Sequence, residues 1–468
     1  MTRCSVFLKS LSIVLVPAVL SACGGTTIYV HQANGDDSLL GTKDAPFMTI
    51  QAAIDYAKEN HSAADIHIAE GVYSANSYAE GKAVVTLADN ISIYGGYSND
   101  DWAERDTTQY KTVIRDVSTE GGTFEQTNHV IYAEDVTEGT IVDGLYIYGG
   151  NGDVNLTILN RNSSPTIQNN YLYGGDINNT SVVYNIHSSP IVTDNTIVGQ
   201  SGNMSYAIYN RDASHPSIMR NKIIGSVYTG PSDGEDQDDD TYSVASTGIY
   251  NTEKSNPIIA NNYIDGGNIT YSLGIYSEDS SPIIRNNTIN GGNNASYYTM
   301  AIAINADAHP IIENNIIFNH DGIYTYGYYA FDGLSSSVLQ NNNFYNMSET
   351  HGNNYSFDLT FTDLKGADGN ILTIEDNDWS LYSYASPELV SNGINGNHPD
   401  ASWSFDDDIS GTLRAPASAD NALGWTIGAH EHPGTLANRT HVASVNDQRL
   451  SITLEAPTSD VPEKLEIQ

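Results

Sequence analysis

The sequence predicts an all-β protein, a right-handed parallel β-helix with an α-helical cap near its N-terminal end. Three observations carry this. First, SSPTIQNNYLYGG (163–175) returns as SSPIIRNNTINGG (280–292), and Pro165, Pro190, Pro216, Pro257, Pro282 and Pro310 recur at spacings of 25, 26, 41, 25 and 28. A fixed period in this range signals stacked supersecondary units. Second, apolar runs inside each unit last three to six residues, favour Ile, Val and Tyr, and alternate with Asn, Gly, Ser and Pro. They are strand-length and β-prone, and no helix of ten residues fits between the breakers. Third, a unit of about 25 residues built this way closes by winding, each coil pairing with the next at a strand spacing of about 4.8 Å.

Taken in order, residues 1–22 read as an export signal. Arg3 and Lys9 precede the apolar run LSIVLVPAVL (11–20), which is too short to span a bilayer, and small residues follow. Leu20-Ser21-Ala22-Cys23 resembles a bacterial lipobox, which implies cleavage before Cys23, lipidation of that residue and tethering to a membrane. With Gly24 next, the resemblance implies the outer membrane of a Gram-negative bacterium. The chain from 23 to about 430 is expected to be the solenoid. In APFMTIQAAIDYAKEN (45–60), Ile50, Ala53, Ile54 and Ala57 share one helical face, so a cap is expected at about 46–60. DIHIAEGVYS (65–74), VTLADNISIYGGYS (85–98) and HVIYAEDV (129–136) read as early, irregular coils. Regular repeats span about 155–346, the 41-residue spacing holding an acidic insert at 230–242. SSVLQNNNFYN (336–346) is a seventh copy with Ser337 at the Pro position. WTIGAHEH (425–432) reads as a last strand, and 431–468 as a tail without period.

Stacking turns equivalent positions into columns. Asn170, Asn195, Asn221, Asn262, Asn287, Asn315 and Asn342 form one. An amide side chain both donates and accepts, so a pile of them can satisfy turn backbone inside a dry core; Asn also tolerates left-handed backbone at a tight turn. The Asn of the aliphatic–Tyr/Leu–Asn triplets (Asn160, Asn185, Asn210, Asn251) suggests a second ladder. Ile167, Val192, Ile218, Ile259, Ile284 and Ile312 fill the interior.

The formal net charge is −38, from 19 basic and 57 acidic residues. Nucleic acid is excluded as a partner, since phosphate binding needs Lys/Arg stripes. Polyanionic glycans are disfavoured. Cys4 and Cys23 are the two cysteines and make no disulfide framework.

The stretch IYVHQANGDDSLLGTKDAPFMTIQAAIDYAKE (28–59), the NNxI repeats and IGAHE (427–431) together resemble the pectate-lyase-like right-handed β-helix superfamily, in the manner of bacterial surface proteins. That resemblance implies the fold. It implies no single activity, because lyases, hydrolases and adhesins share it, and no lyase motif matches residue by residue.

Chemistry has three candidate places. Counting back from the prolines, Asp212, Glu253 and Glu278 fall at or near one position of successive coils, with Arg285, Arg211 and Arg161 near the same faces. Stacked carboxylates about 5 or 10 Å apart would bracket glycosidase geometries or suit calcium; the plain alternative is solvated turn residues. The insert residues Asp233, Glu235, Asp236, Asp238, Asp239 and Asp240 could ligate calcium, though without EF-hand spacing, and a disordered acidic loop is the alternative. Tyr171, Tyr173 and Tyr263 alternate with inward aliphatics and are expected to face out, where rings stack on sugars. His187, His215 and His309 read as turn residues. The leading expectation is a lipid-anchored surface protein that adheres or binds an extracellular glycan without catalysis. A polysaccharide lyase or hydrolase working in a groove along the strands is the second expectation, and a calcium-stabilised spacer the third.

Overall fold

The computed structural model describes residues 26–345, except 78–82, 119–127, 151–153, 176–178, 201–203, 227–244, 293–297, 319–323, 333 and 341, together with 349–352, 364–365, 440–445 and 448–453. The chain winds as a right-handed parallel β-helix whose coils each contribute one strand to three sheets. The first sheet runs from Thr26–Val30 to Val338–Gln340, the second from Gly71–Ala75 to Leu364–Lys365, and the third from Val85–Thr86 to Glu349–Gly352. In the regular coils the third-sheet strands are the long ones, such as Tyr271–Glu278, and the other two walls use three-residue strands, such as Ile283–Arg285 and Thr288–Asn290.

The helix Ile50–Asn60 covers the first coils. Thr49 caps it by accepting the Ala52 N–H, and Ile50, Ala53, Ile54 and Ala57 are its buried residues. Inside, Ile167, Val192, Ile218, Ile259, Ile284 and Ile312 stack in register with no exposed surface. Each coil proline sits just before a first-sheet strand, where its missing N–H costs nothing. Its carbonyl still accepts from the next coil, as Pro216 does from Ile258 N (3.0 Å).

Asparagine dominates the corner between the first and second sheets. Asn170, Asn195, Asn221, Asn262, Asn287, Asn315 and Asn342 are all buried and bonded head to tail, Nδ2 to the next Oδ1 at 2.9–3.1 Å. Each Oδ1 also receives a backbone N–H from the preceding coil, Leu145 N for Asn170 (2.9 Å) and otherwise that of the preceding ladder residue, for example Asn195 N to Asn221 Oδ1 at 2.9 Å. One expectation needs moving. The left-handed residue of this corner is not the ladder Asn but the residue before it: Asn169, Asp194, Arg220, Asn261, Asn286 and Asn314 have φ of 52–58°. That residue makes the bend, and its neighbour is thereby turned inward.

A second ladder runs Asn160, Asn185, Asn210, Asn251 and ends on Ser277 Oγ (2.7–3.2 Å). A third was not foreseen. Two residues before each proline, Ser163, Ser188, Ser214, Ser255 and Ser280 stack, each backbone N–H donating to the next hydroxyl at 3.0–3.1 Å. At the corner between the second and third sheets, glycine is required by close approach. A Cβ on Gly199 would lie 1.6 Å from the Gly225 carbonyl oxygen. Within the stretch read as a tail, Thr440–Val445 pairs antiparallel with Gln448–Thr453.

Candidate functional site: an aromatic wall on the long sheet

Side chains alternate across the third-sheet wall. Ile208, Ile249, Ile275 and Ile302 point inward, and the next residue of each strand points out. The outward column reads Tyr132, Leu159, Tyr184, Tyr209, Tyr250, Tyr276, Ala303, Tyr329. Tyr209 stacks on Tyr250 at 4.8 Å and Tyr250 on Tyr276 at 5.1 Å, while Tyr184 meets Tyr209 edge-on at 4.9 Å. At Ala303 a methyl replaces the ring, and Phe331 leans into the space, contacting Tyr276 at 6.0 Å and Tyr329 at 4.7 Å. A second lane, Tyr271, Tyr298 and Tyr324, stacks at 5.6 and 5.1 Å, with Tyr206 and Tyr326 between the lanes. The Tyr206, Tyr209, Tyr250 and Tyr276 rings are half-buried, and burial pushes their hydroxyls above the ordinary phenol range.

Charged groups rim one edge. Arg211 forks onto Glu253 (Nη2–Oε1 2.9 Å, Nε–Oε2 3.2 Å) and donates to the Tyr184 hydroxyl at 3.3 Å. Tyr250 donates to Glu278 Oε2 at 2.7 Å, and His187 pairs with Asp212 at 3.0 Å. The expected column of three carboxylates is thus out of step. Extending the strand register places Asp212 opposite Glu253, and Glu253 opposite Asp279, with Glu278 one place earlier. The turn from Asn251 to Pro257 holds one residue more than the turn from Ser277 to Pro282. A second left-handed residue (Ala213, Lys254, Asp307) takes up the extra length, so counting back from proline misaligns the longer turns. By the same shift, Ile304 rather than Asn305 continues the triplet column.

Arg285 does not join this rim. It sits on the first sheet, buried, paired with Glu313 at 2.8 Å. Tyr171 and Tyr173 are half-buried on the outer face of the second sheet, stacked on Tyr146 (4.5 Å) and Tyr148 (4.8 Å). Tyr263 does not face solvent: it is 3% exposed, and its hydroxyl donates to Asp265 Oδ2 at 3.3 Å. The outer face of the second sheet is covered at that level, since Asp265 and Asn290 beside it are buried too. His215 and His309 belong to the turn stack, His215 Nδ1 accepting from Asn256 N at 3.0 Å. Asp233, Glu235, Asp236, Asp238, Asp239 and Asp240 lie outside the described residues, as do Cys23 and WTIGAHEH. Among the described residues no group of three or more His, Cys, Asp or Glu could hold a metal. The third-sheet tyrosines were visible only as part of the triplet. Their signal was Tyr recurring directly after an inward aliphatic, which alternation puts outside.

Residues 33–231, less than half of the chain, match the family model described as "Protein of unknown function (DUF1565)". No curated protein matches the sequence. Among solved structures the chain is similar to pectate lyase Pel9A, at 11% identity over 87% of this chain and 97% of that one (TM-score 0.42). It is also similar to the Azotobacter vinelandii mannuronan C-5 epimerase AlgE6 A-module, at 14% identity over 68% and 94% (TM-score 0.31). A third is the tailspike protein of E. coli bacteriophage HK620 in complex with pentasaccharide, at 13% identity over 70% and 65% (TM-score 0.35). The fold of the present chain is the parallel β-helix that the sequence resemblance implied.

Proposed function

We propose that this protein is a surface-displayed, non-catalytic glycan-binding β-helix, tethered through a lipid on Cys23. The observation that carries the reading is the aromatic wall: stacked, half-exposed rings along one long sheet offer a flat, rigid surface for the apolar faces of successive sugars. The rim argues for binding over turnover. Glu253 is forked by Arg211, Glu278 accepts the Tyr250 hydroxyl and Asp212 pairs with His187, so each carboxylate is committed to a neighbour. A glycosidase needs two carboxyl groups facing the scissile bond from either side.

The test is a glycan array probed with the full chain and with a Tyr209→Ala/Tyr250→Ala variant. Binding is expected to fall at least about tenfold in the variant and to survive Glu253→Gln. Product release from any arrayed glycan, abolished by Glu253→Gln, would overturn the reading in favour of an enzyme. Metabolic palmitate labelling of wild type but not Cys23→Ala checks the tether independently.

A further inference from the structure

A different cluster, on the first sheet near the capped end, is not repeated among the described residues. The outward columns there read Thr27–Asp65–Ser92 and Tyr29–His67–Tyr94–Asp143. The segment after Tyr97 folds back over them. Trp102 meets Tyr29 edge-on at 4.8 Å, and His67 lies flat on Tyr97 at 4.2 Å with its edge towards Tyr29 and Tyr94. Arg105 pins the segment, bonding Asp143 and the Gly95 carbonyl (2.9 Å) while lying over Tyr94 and Tyr97.

Most of this cluster is self-satisfied. Asp65 is not. It is half-buried two residues from His67 on the same face, and among the described residues nothing donates a hydrogen bond to it or forms an ion pair with it. Burial alone raises its carboxyl above the usual range, and burial, then Arg105 and Lys43, push His67 down to about 4, so the imidazole beside it is neutral. A partly desolvated carboxylate with no partner, beside the half-exposed Tyr29 and Tyr94 rings of the neighbouring outward column, is an incomplete hydrogen-bonding site.

We propose that Asp65, with Trp102, Tyr29 and Tyr94, forms a second saccharide site that takes an uncharged hexopyranose. Ring hydroxyls donate to the Asp65 carboxylate, and the C–H face of the sugar packs on the exposed aromatic surface. The charges on the page select this class. An anion would meet Asp65 unpaired, in a chain of net charge −38. An organic cation would be repelled by Arg105 and Lys43, which lie over Tyr94, Tyr97 and Tyr29.

The experiment follows the indole N–H signal of Trp102, assigned by its absence in Trp102→Phe, while the full chain is titrated with methyl glycosides of glucose, galactose, mannose and N-acetylglucosamine and with glucuronate. At least one neutral glycoside is expected to shift that signal saturably, glucuronate to bind it more weakly, and Asp65→Asn to weaken the neutral sugar at least about tenfold. The Tyr209→Ala/Tyr250→Ala variant is expected to leave this titration unchanged, which separates it from the long-sheet wall. No shift with any neutral glycoside, or equal affinity in Asp65→Asn with its fold intact by circular dichroism, overturns the proposal.

Discussion

Replacing one ladder amide tests the architecture at its most load-sensitive point. In wild type, Asn221 Oδ1 accepts from Asn195 N (2.9 Å) and Asn195 Nδ2 (3.0 Å), while its own Nδ2 serves Val192 O (2.8 Å), Met219 O (2.9 Å) and Asn262 Oδ1 (3.1 Å). Asn221→Leu removes all of these. Asn195 Nδ2 keeps the Ile167 and Thr193 carbonyls, but the buried Asn195 backbone N–H loses its acceptor and the Val192 carbonyl loses a donor. Each stranded group costs about 1–3 kcal/mol. Leucine recovers on the order of 1 kcal/mol through its extra apolar area, leaving a net loss of about 1–5 kcal/mol. At about 2–4 °C per kcal/mol for chains of some 200 residues, and less for a longer one, thermal melting by far-UV circular dichroism should drop by roughly 2–15 °C. Solenoid stability is a sum of coil and interface terms, so hydrogen exchange should show protection lost first around 192–221 and 262 rather than evenly. Asn221→Asp sharpens the test. It keeps one acceptor but turns a carboxylate oxygen on two carbonyls, so it should be worse than Leu at neutral pH and partly recover in acid, where protonation restores a donor. A Leu variant melting within about a degree of wild type would refute the hydrogen-bond accounting.

Further outcomes follow from other parts of the coil. Gly199→Ala drives a Cβ into the Gly225 carbonyl oxygen and should abolish soluble expression or shift the melt more than the ladder variant does. Gly139→Ala, whose nearest neighbour is an Asn90 side-chain oxygen at 3.0 Å, should be mild by the same melt. Glu253→Gln removes an ion pair whose side chains are 39% and 48% exposed, so stability by urea titration should change by no more than about 1 kcal/mol. His67 is neutral when folded with its pKa near 4 against an ordinary 6.5. The unfolded chain therefore binds that proton first, and the stability His67 contributes is full above pH 6.5 and lost as pH falls towards 4. The drop in urea midpoint from pH 7.5 to 4.5 should be smaller in His67→Gln; an equal drop refutes the assignment.

The fold was legible because the core obeys a local rule. A residue type that must bond to its own copy one coil away has to recur at the coil length, so Asn170 through Asn342 and Ile167 through Ile312 were readable as columns before any coordinate. The serine ladder follows the same rule and was passed over because the prolines beside it drew the alignment. Register in the turns was not legible. Whether a turn takes one left-handed residue or two is decided by backbone closure, and that single residue separates Glu278 from Glu253. Nor could alternation alone show that Tyr263 is buried, since pointing outward from a sheet differs from reaching solvent.

The same rule bears on where function can be sought. A residue repeated in every coil is already explained by the coil, and repetition of Tyr184, Tyr209, Tyr250 and Tyr276 is by itself no more than strand preference. What strand preference does not require is that the Tyr209, Tyr250 and Tyr276 rings remain half-exposed and stack on one another down a single wall, for an isolated outward Tyr packs as well against an aliphatic neighbour. The cluster near the capped end carries the opposite kind of signal. Asp65, His67, Trp102 and Arg105 have no counterparts in the other described coils, so no ladder accounts for them, and three of the four are accounted for by fastening the segment after Tyr97. Asp65 is left without a structural reason for its place. A buried-edge carboxylate that stabilises nothing is a cost to the fold, and a measurable gain in melting temperature in Asp65→Asn, together with lost sugar affinity, is what a residue kept for binding should show.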